Sequence, residues 1–231
     1  MSTATASDTQ MLVRCVDVAR TYGSGPTATV ALHGSSCTIA PGAQIAITGP
    51  SGSGKSTLLH LMAGLDEPTV GTVTWPAIGG QDALRPGPLA MVFQGPSLLP
   101  PLTVLENVAL PLQLNGVRED EARRAAVLAL GRLQLDDLID KLPEELSGGQ
   151  AQRVAVARVL AGTPRLILAD EPTGQLDRRS ADAVIDTLIQ VAAEHDSALV
   201  VSTHDPRVAE RFATRWSVTD GHLTTDSEVL R

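Results

Sequence analysis

The chain has 231 residues, 43% of them hydrophobic and 2% aromatic, with a formal net charge of -8. That length suits one large domain or a core with a subdomain, while the acidic balance and the scarcity of rings argue against a surface that attracts nucleic acid, anionic lipid or exposed bases. The two cysteines, Cys15 and Cys37, sit among apolar residues and are expected in the core of a chain kept in a reducing compartment. No apolar run approaches the roughly 18 residues of a membrane span, and residues 1–10 lack the basic and apolar regions of a signal peptide, so they are read as a disordered tail on a soluble chain. Any link to a membrane is then expected through a protein partner.

Short apolar runs at 11–18, 29–32, 36–39 and 44–47, split by Gly and Pro turns, predict an antiparallel sheet feeding a central strand. Tyr22, the only tyrosine, is expected in a turn before that sheet, as a lid on the core or as a ring that stacks on a base. The stretch Gly49-Pro50-Ser51-Gly52-Ser53-Gly54-Lys55-Ser56-Thr57 then fits G-x-x-x-x-G-K-[ST]. In such a loop backbone N–H groups wrap phosphate oxygens, the lysine reaches the outer phosphates and the hydroxyl suits Mg²⁺. An apolar β-type run leads in and Leu58, Leu59, Leu61 and Met62 follow at helical spacing, so phosphates would lie at a helix N-terminus.

Further on, 71–75 and 89–93 read as strands, the second ending at Gln94. Thr103 with Glu106 three residues later marks a helix start, 119–133 is amphipathic, and a short helix is expected over 135–139. Leu146-Ser147-Gly148-Gly149-Gln150 precedes a helix over 152–160; it can be a simple N-cap turn or a second anion cradle. One nucleotide does not need two cradles, so the second is read as serving a nucleotide held by another copy of the chain. The continuous apolar run 166–169, between Arg165 and the Asp170-Glu171 pair, predicts a parallel strand buried on both faces. Side chains of the adjacent Asp170 and Glu171 would point apart, one to a metal and one to a water. A helix over 181–193, a buried strand over 198–202 ending near His204, a helix over 206–213 and a closing hairpin across Asp220-Gly221 complete an α/β pattern with a mostly parallel sheet.

With these motifs in this order, the chain from about residue 12 to 223 resembles the nucleotide-binding subunits of ATP-binding-cassette (ABC) transporters. The resemblance implies a P-loop NTPase (RecA-like) core over 11–94 and 162–231, with an N-terminal antiparallel β subdomain and an inserted α-helical signature subdomain over 95–161. It implies ATP and Mg²⁺ as ligands and assigns roles residue by residue. Tyr22 would stack on adenine, and residues 49–57 would hold the phosphates, with Lys55 on the outer ones and Ser56 on Mg²⁺. Gln94 would contact Mg²⁺ and water and report to a membrane partner, while Ser147 to Gln150 would cap the nucleotide of a second copy. Asp170 would hold Mg²⁺ through water, Glu171 would polarise the attacking water, Asp177 would line the dimer seam, and His204 would contact the γ-phosphate. The partners implied are a homodimer of the ATPase and an integral membrane permease, at the cytoplasmic face of the plasma (inner) membrane, without nucleic acid and without insertion into the bilayer.

Within that family the chain is similar to the short ATPases of the macrolide-export, lipoprotein-release and cell-division group. The stretches that carry this are 47–59, 103–112 and 168–174. Gln175 stands where these relatives usually have asparagine, and 75–89 is compact and proline-rich where they carry a longer charged arm. A cargo-free ATPase driving a transmembrane regulator of cell-wall enzymes is the alternative reading.

Overall fold

The computed structural model describes residues 8–225. Most of the expected 1–10 tail lies outside these, and Asp8–Gln10 form one 3-10 turn. In chain order the elements are β1 (Val13–Tyr22), β2 (Thr29–Ile39), β3 (Gln44–Thr48), α1 (Lys55–Met62), β4 (Val70–Thr74), β5 (Leu89–Val92), α2 (Val104–Leu114) and α3 (Glu119–Arg132), followed by α4 (Gly148–Leu160), β6 (Leu166–Asp170), α5 (Arg178–Glu194), β7 (Ala198–Thr203), α6 (Pro206–Ala209), β8 (Thr214–Thr219) and β9 (His222–Thr224). They form two compact units, one running to Leu84 and resuming at Val200, the other Arg85–Leu199.

In the first unit β2, β1 and β4 make an antiparallel sheet in that order. The two runs expected at 29–32 and 36–39 are one strand, β2, because it pairs with β1 from Tyr22↔Thr29 to Val13↔Ile39. Bulges absorb the mismatch. Asp17 takes φ 50 and its N–H donates to Ser36 Oγ at 2.9 Å, so the extra residue is held without breaking the ladder. Tyr22 is therefore the last residue of β1 and does not lie in a turn. Cys15 is buried as expected, but Cys37, directly opposite it, is only half-buried.

β3 runs parallel to β8, from Ile45↔Thr214 to Thr48↔Ser217, and β9 folds back antiparallel on β8 with Thr219↔His222 closing the hairpin. Asp220 and Gly221 both have positive φ, 49 and 75, as a two-residue hairpin turn of the mirror-image type requires. Leu58, Leu59, Leu61 and Met62 of α1 are fully buried, each contributing about 2 kcal/mol relative to exposure. That burial anchors the helix whose first turn belongs to the glycine loop. Where a helix over 206–213 was expected, α6 has four residues. Beyond it Arg211 and Phe212 bond back to Val208 and Ala209, a tighter winding than α.

In the second unit β5 and β6 are parallel, with Val92 opposite Ala169. Every residue of β6 is buried, which explains its unbroken apolar sequence. α2 begins where Thr103 predicted it. Thr103 Oγ1 accepts from Glu106 N–H at 3.2 Å and Glu106 Oε2 accepts from Thr103 N–H at 2.8 Å, satisfying two donors at the helix start. The segment expected as a short helix over 135–139 is a 3-10 turn, Asp136–Leu138. α5 buries Val184, Ile185, Leu188, Val191 and Ala192, one stripe at helical spacing.

Candidate functional site

β3 delivers the chain into the glycine loop, and two glycines there are sterically required. At Gly49, φ 146, a Cβ would collide with the Val218 carbonyl oxygen, and at Gly54, φ 108, with that of Ala31. Only glycine lets the loop pass this close to β8 and β2. Lys55 is almost fully buried, and its Nζ donates to the carbonyls of Gly49 at 2.8 Å and Pro50 at 2.9 Å. The loop thus curls around the ammonium group, concentrating positive charge at its centre.

The first intrahelical bond of α1 runs from Leu58 N–H to Gly54 O at 2.9 Å, so the N–H groups before it have no intrahelical acceptor and add to the positive end of the helix dipole. Ser53 Oγ is buried without a hydrogen-bond partner, a costly arrangement that a polar ligand would relieve. A ring of N–H donors, a buried ammonium and an orphaned hydroxyl fit the oxygens of a polyphosphate. The half-buried Ser56 hydroxyl at the second position of α1 suits Mg²⁺, which takes few protein ligands and keeps phosphate and water oxygens.

His204 stands on the turn after β7, exposed, and shares with Thr48, Gly49 and Pro50 the wall of a cavity of about 440 Å³. That turn is fixed locally. Thr203 Oγ1 accepts from Asp205 N–H at 3.0 Å, and Asp205 caps α6 through Arg207 N–H at 2.9 Å while pairing with the Arg207 guanidinium at 2.7 Å. Hydrogen bonds from Arg207 are the main reason the Asp205 carboxyl is held below its ordinary range. Tyr22 belongs to the same unit, at the end of β1, and is 40% exposed.

The second unit gathers the other expected residues. Because β5 and β6 are parallel and in register, Gln94 and the Asp170-Glu171 pair leave the same sheet edge. Asp170 and Glu171 are both buried. Glu171 adopts φ 46, a left-handed conformation unfavourable for a side-chain-bearing residue and typical of functional positions. Gly174 N–H to Glu171 O at 3.1 Å closes the turn that holds it. Exposed Gln94 is bracketed by two side chains of α4. Gln152 Nε2 donates to Phe93 O at 3.1 Å, and Arg158 donates to Ser97 O and Ser97 Oγ, both at 3.0 Å.

Ser147 is the N-cap of α4, its Oγ accepting from Gln150 N–H at 3.2 Å while Gln150 Oε1 accepts from Ser147 N–H at 2.8 Å. The cap and cradle readings are compatible, since the capping hydroxyl accepts and keeps its proton to donate. Ser147 and Gly148 are exposed. The loop before α5 packs on these glycines, so that a Cβ on Gly148 would meet Gln175 Oε1 at 3.3 Å and one on Gly149 would meet Leu176 Cδ2 at 3.4 Å. Asp177 caps α5, accepting from Ser180 Oγ at 2.6 Å and Ser180 N–H at 3.1 Å, and those bonds hold its carboxyl low.

The first unit therefore assembles the glycine loop and His204, with Tyr22 in the same unit, and the second assembles Gln94, Asp170, Glu171, the Ser147–Gln150 turn and Asp177. Sequence reasoning missed Arg20 and Asp66 at Tyr22, and Gln152 and Arg158 at the flanks of Gln94. Arg20 was within reach of it, two residues from Tyr22 on the same strand; the others touch their partners only through tertiary structure.

The ABC transporter family profile matches residues 32–174. Over 225 residues the chain is 42% identical to the lipoprotein-releasing system ATP-binding protein LolD of Geobacter metallireducens, an alignment covering 93% of this chain and 99% of that relative. Against the protein of the same name from Hydrogenovibrio crunogenus identity is 40% over 227 residues, covering 95% and 99%. Among solved structures, a dimeric post-hydrolysis state of the ATP-binding cassette MJ0796 bound to ADP and Pi superposes with a TM-score of 0.86 at 36% identity, over 92% of this chain and 98% of that one. Another, cbiO1 from Clostridium perfringens, described as part of the ABC transporter complex cbiONQ, gives 0.78 at 27% identity, over 96% and 94%. With a profile that spans most of its length and relatives matched over nearly their whole extent, the chain belongs to the ABC transporter ATPase family.

Proposed function

We propose that two copies of this chain bind two ATP molecules at a shared interface, close on them, and reopen after hydrolysis to drive a separate membrane permease of the lipoprotein-release type. The glycine loop carries this reading: its buried Lys55 and orphaned Ser53 hydroxyl suit phosphate oxygens. The dimeric relative bound to ADP and Pi supports the assembly, and the name of the LolD relatives supports the type of partner. Among the described residues no helix is long and apolar enough to cross a membrane. In this reading the chain attaches through that partner, on the cytoplasmic side.

In this reading Lys55 and the N–H groups at the start of α1 hold the β and γ phosphates, and Tyr22 takes the adenine. Ser56 and Gln94, with Asp170 through water, would hold Mg²⁺, which when bound would supply positive charge to offset that on the phosphate oxygens. Glu171 orients the attacking water and accepts its proton, His204 touches the γ-phosphate, and the Ser147–Gln150 turn seals the nucleotide of the other copy with Asp177 at the seam. Residues 95–161 act as the helical signature subdomain, moving relative to the core and passing that motion through the loop at 98–102 to the permease. Phosphoryl transfer needs mostly positioning and charge stabilisation, and these side chains supply both.

Glu171→Gln tests the assignment. The variant should bind ATP with unchanged affinity, lose hydrolysis at least about 100-fold, and elute as an ATP-dependent dimer in light-scattering chromatography. Wild-type turnover in that variant would remove Glu171 from its role, and a nucleotide-loaded variant that stayed monomeric would reject the shared interface.

A further inference from the structure

The first unit holds a three-residue cluster around Tyr22, the only tyrosine of the chain. Arg20 and Tyr22 are two residues apart on β1 and share a face. The Arg20 guanidinium carbon lies 4.6 Å from the Tyr22 ring centroid, a cation–π arrangement that covers one side of the ring. Arg20 is itself clamped, with Nε donating to Asp66 Oδ2 at 3.0 Å and Nη2 lying 2.7 Å from Asp66 Oδ1, a two-point fork that lysine cannot reproduce. The Tyr22 hydroxyl donates to the same Asp66 Oδ2 at 2.7 Å. One carboxylate therefore fixes both the ring and the cation beneath it.

Asp66 is well placed to act as an anchor. It follows α1 by a short turn in which Gly64 N–H bonds Leu61 O at 3.0 Å and Leu65 N–H bonds His60 O at 2.9 Å. Its Oδ1 accepts from Glu67 N–H at 2.8 Å. The segment after it is laced to β1, with Thr69 N–H bonding Ala19 O at 2.8 Å and Thr21 N–H bonding Thr69 Oγ1 at 3.0 Å. Thus the C-terminal end of the helix that opens the phosphate loop is also the mount for the ring. Burial alone would raise the Asp66 pKa, but the phenol, the Glu67 amide and Arg20 together hold it below the ordinary range, so the anchor stays charged at neutral pH.

The geometry points to Arg20 and Asp66 as positioning residues for base binding: they cover one face of the Tyr22 ring, tie down its hydroxyl, and leave a pre-oriented exposed face for a purine. This rests on the reading of Tyr22 as the ring that stacks on adenine. An unclamped phenol on a strand end must give up side-chain freedom when a base binds, and the clamp removes that cost in advance. The effect acts through the base and leaves the phosphates untouched.

The test compares Arg20→Ala, Arg20→Lys, Asp66→Asn and Tyr22→Phe with the wild type and with Tyr22→Ala. Calorimetric Kd is measured for ATP and for inorganic tripolyphosphate, together with KM and kcat for Mg-ATP. Asp66→Asn and Arg20→Ala should raise the ATP Kd and KM about 3- to 10-fold with kcat within about twofold, and Tyr22→Phe and Arg20→Lys should show smaller increases, in line with the energies of base stacking. Tripolyphosphate affinity should not change in any of them. If tripolyphosphate binding weakens in parallel, the cluster is only structural and the inference fails. If Tyr22→Ala weakens ATP binding while the Arg20 and Asp66 variants bind like wild type, the positioning role fails and the stacking role stands. If Tyr22→Ala itself binds ATP normally, the stacking reading falls and the inference with it. Should Asp66→Asn fold poorly, Arg20→Lys and Tyr22→Phe decide the matter.

Discussion

Asn107 offers a sharp test of how the loop ahead of α2 is held. The residue is 1% exposed, yet it is polar, on the first turns of a helix that otherwise buries Val104, Leu105, Val108 and Ala109. Its Oδ1 accepts from Leu99 N–H at 2.8 Å, and its Nδ2 donates to the carbonyls of Leu99 at 3.1 Å, Leu102 at 2.9 Å and Thr103 at 3.1 Å. One side chain thus satisfies the backbone of the loop proposed to meet the permease. Each such bond contributes about 1 kcal/mol net, and buried groups left without partners cost more. Asn107→Ala should therefore lose roughly 3–4 kcal/mol, a drop in Tm of roughly 6–16 °C for a chain of this size. Asn107→Asp should be at least as damaging at neutral pH, because it keeps the acceptor for Leu99 N–H but turns a carboxylate toward three carbonyl oxygens. Thermal and urea unfolding of both variants, followed by circular dichroism, measures this. A loss below about 1 kcal/mol in both would mean that the loop holds its shape without Asn107 and that the reasoning from buried polar satisfaction is wrong here.

Three further outcomes follow from the site. Lys55→Ala should weaken ATP binding by at least about tenfold in calorimetry, since it removes the buried ammonium at the centre of the loop; unchanged affinity would reject the phosphate-loop assignment. Gly54→Ala should abolish ATP binding, because its Cβ would collide with the Ala31 carbonyl at a left-handed φ, costing about 1–2 kcal/mol from φ alone; a variant that binds ATP normally would show that the loop can move away from β2. The Asp66 carboxyl is held low in the folded chain, so on acidification the unfolded chain takes up a proton first. The stability it contributes is complete above the ordinary carboxylate value of about 4 and is lost as pH falls below that toward its folded value. Asp66→Asn should accordingly flatten the acid limb of Tm against pH, and identical limbs in variant and wild type would refute the linkage.

What could be read from sequence was local. The Thr103–Glu106 box and the Asp220-Gly221 turn depend on residues within a few positions of each other, so the pattern and the physics coincide. The glycine loop was legible for the same reason, as glycine, lysine and hydroxyl spacing is set by one strand, one turn and one helix start. The runs 29–32 and 36–39 are joined in β2 because register shifts on both strands let Ser35 pair with Val18 and Leu32 with Arg20, and these shifts depend on the partner strand. Tyr22 was expected in a turn, but β1 runs on through it, opposite Thr29. Its anchor, Asp66, lies 44 residues away, and Gln152 holds Phe93 across 59 residues; no spacing rule reaches so far.

Those long-range bonds show how a fold turns motifs into a site. The ends of α1 serve different halves of one ligand in the proposed reading, its N-terminal turn the phosphates and its C-terminal turn, through Asp66, the ring for the base. α4 does the equivalent in the second unit: Ser147 and Gln150 at its start form the exposed cap, while Gln152 and Arg158 further along grip both flanks of Gln94. A rigid helix thereby fixes the distance between two functional groups that neither strand nor loop could fix alone. The same economy explains why buried polar side chains persist in these helices: Gln152 Oε1 has no partner, a cost that an apolar residue would avoid, and its return is the hold on Phe93 O that keeps Gln94 at the edge it shares with Asp170.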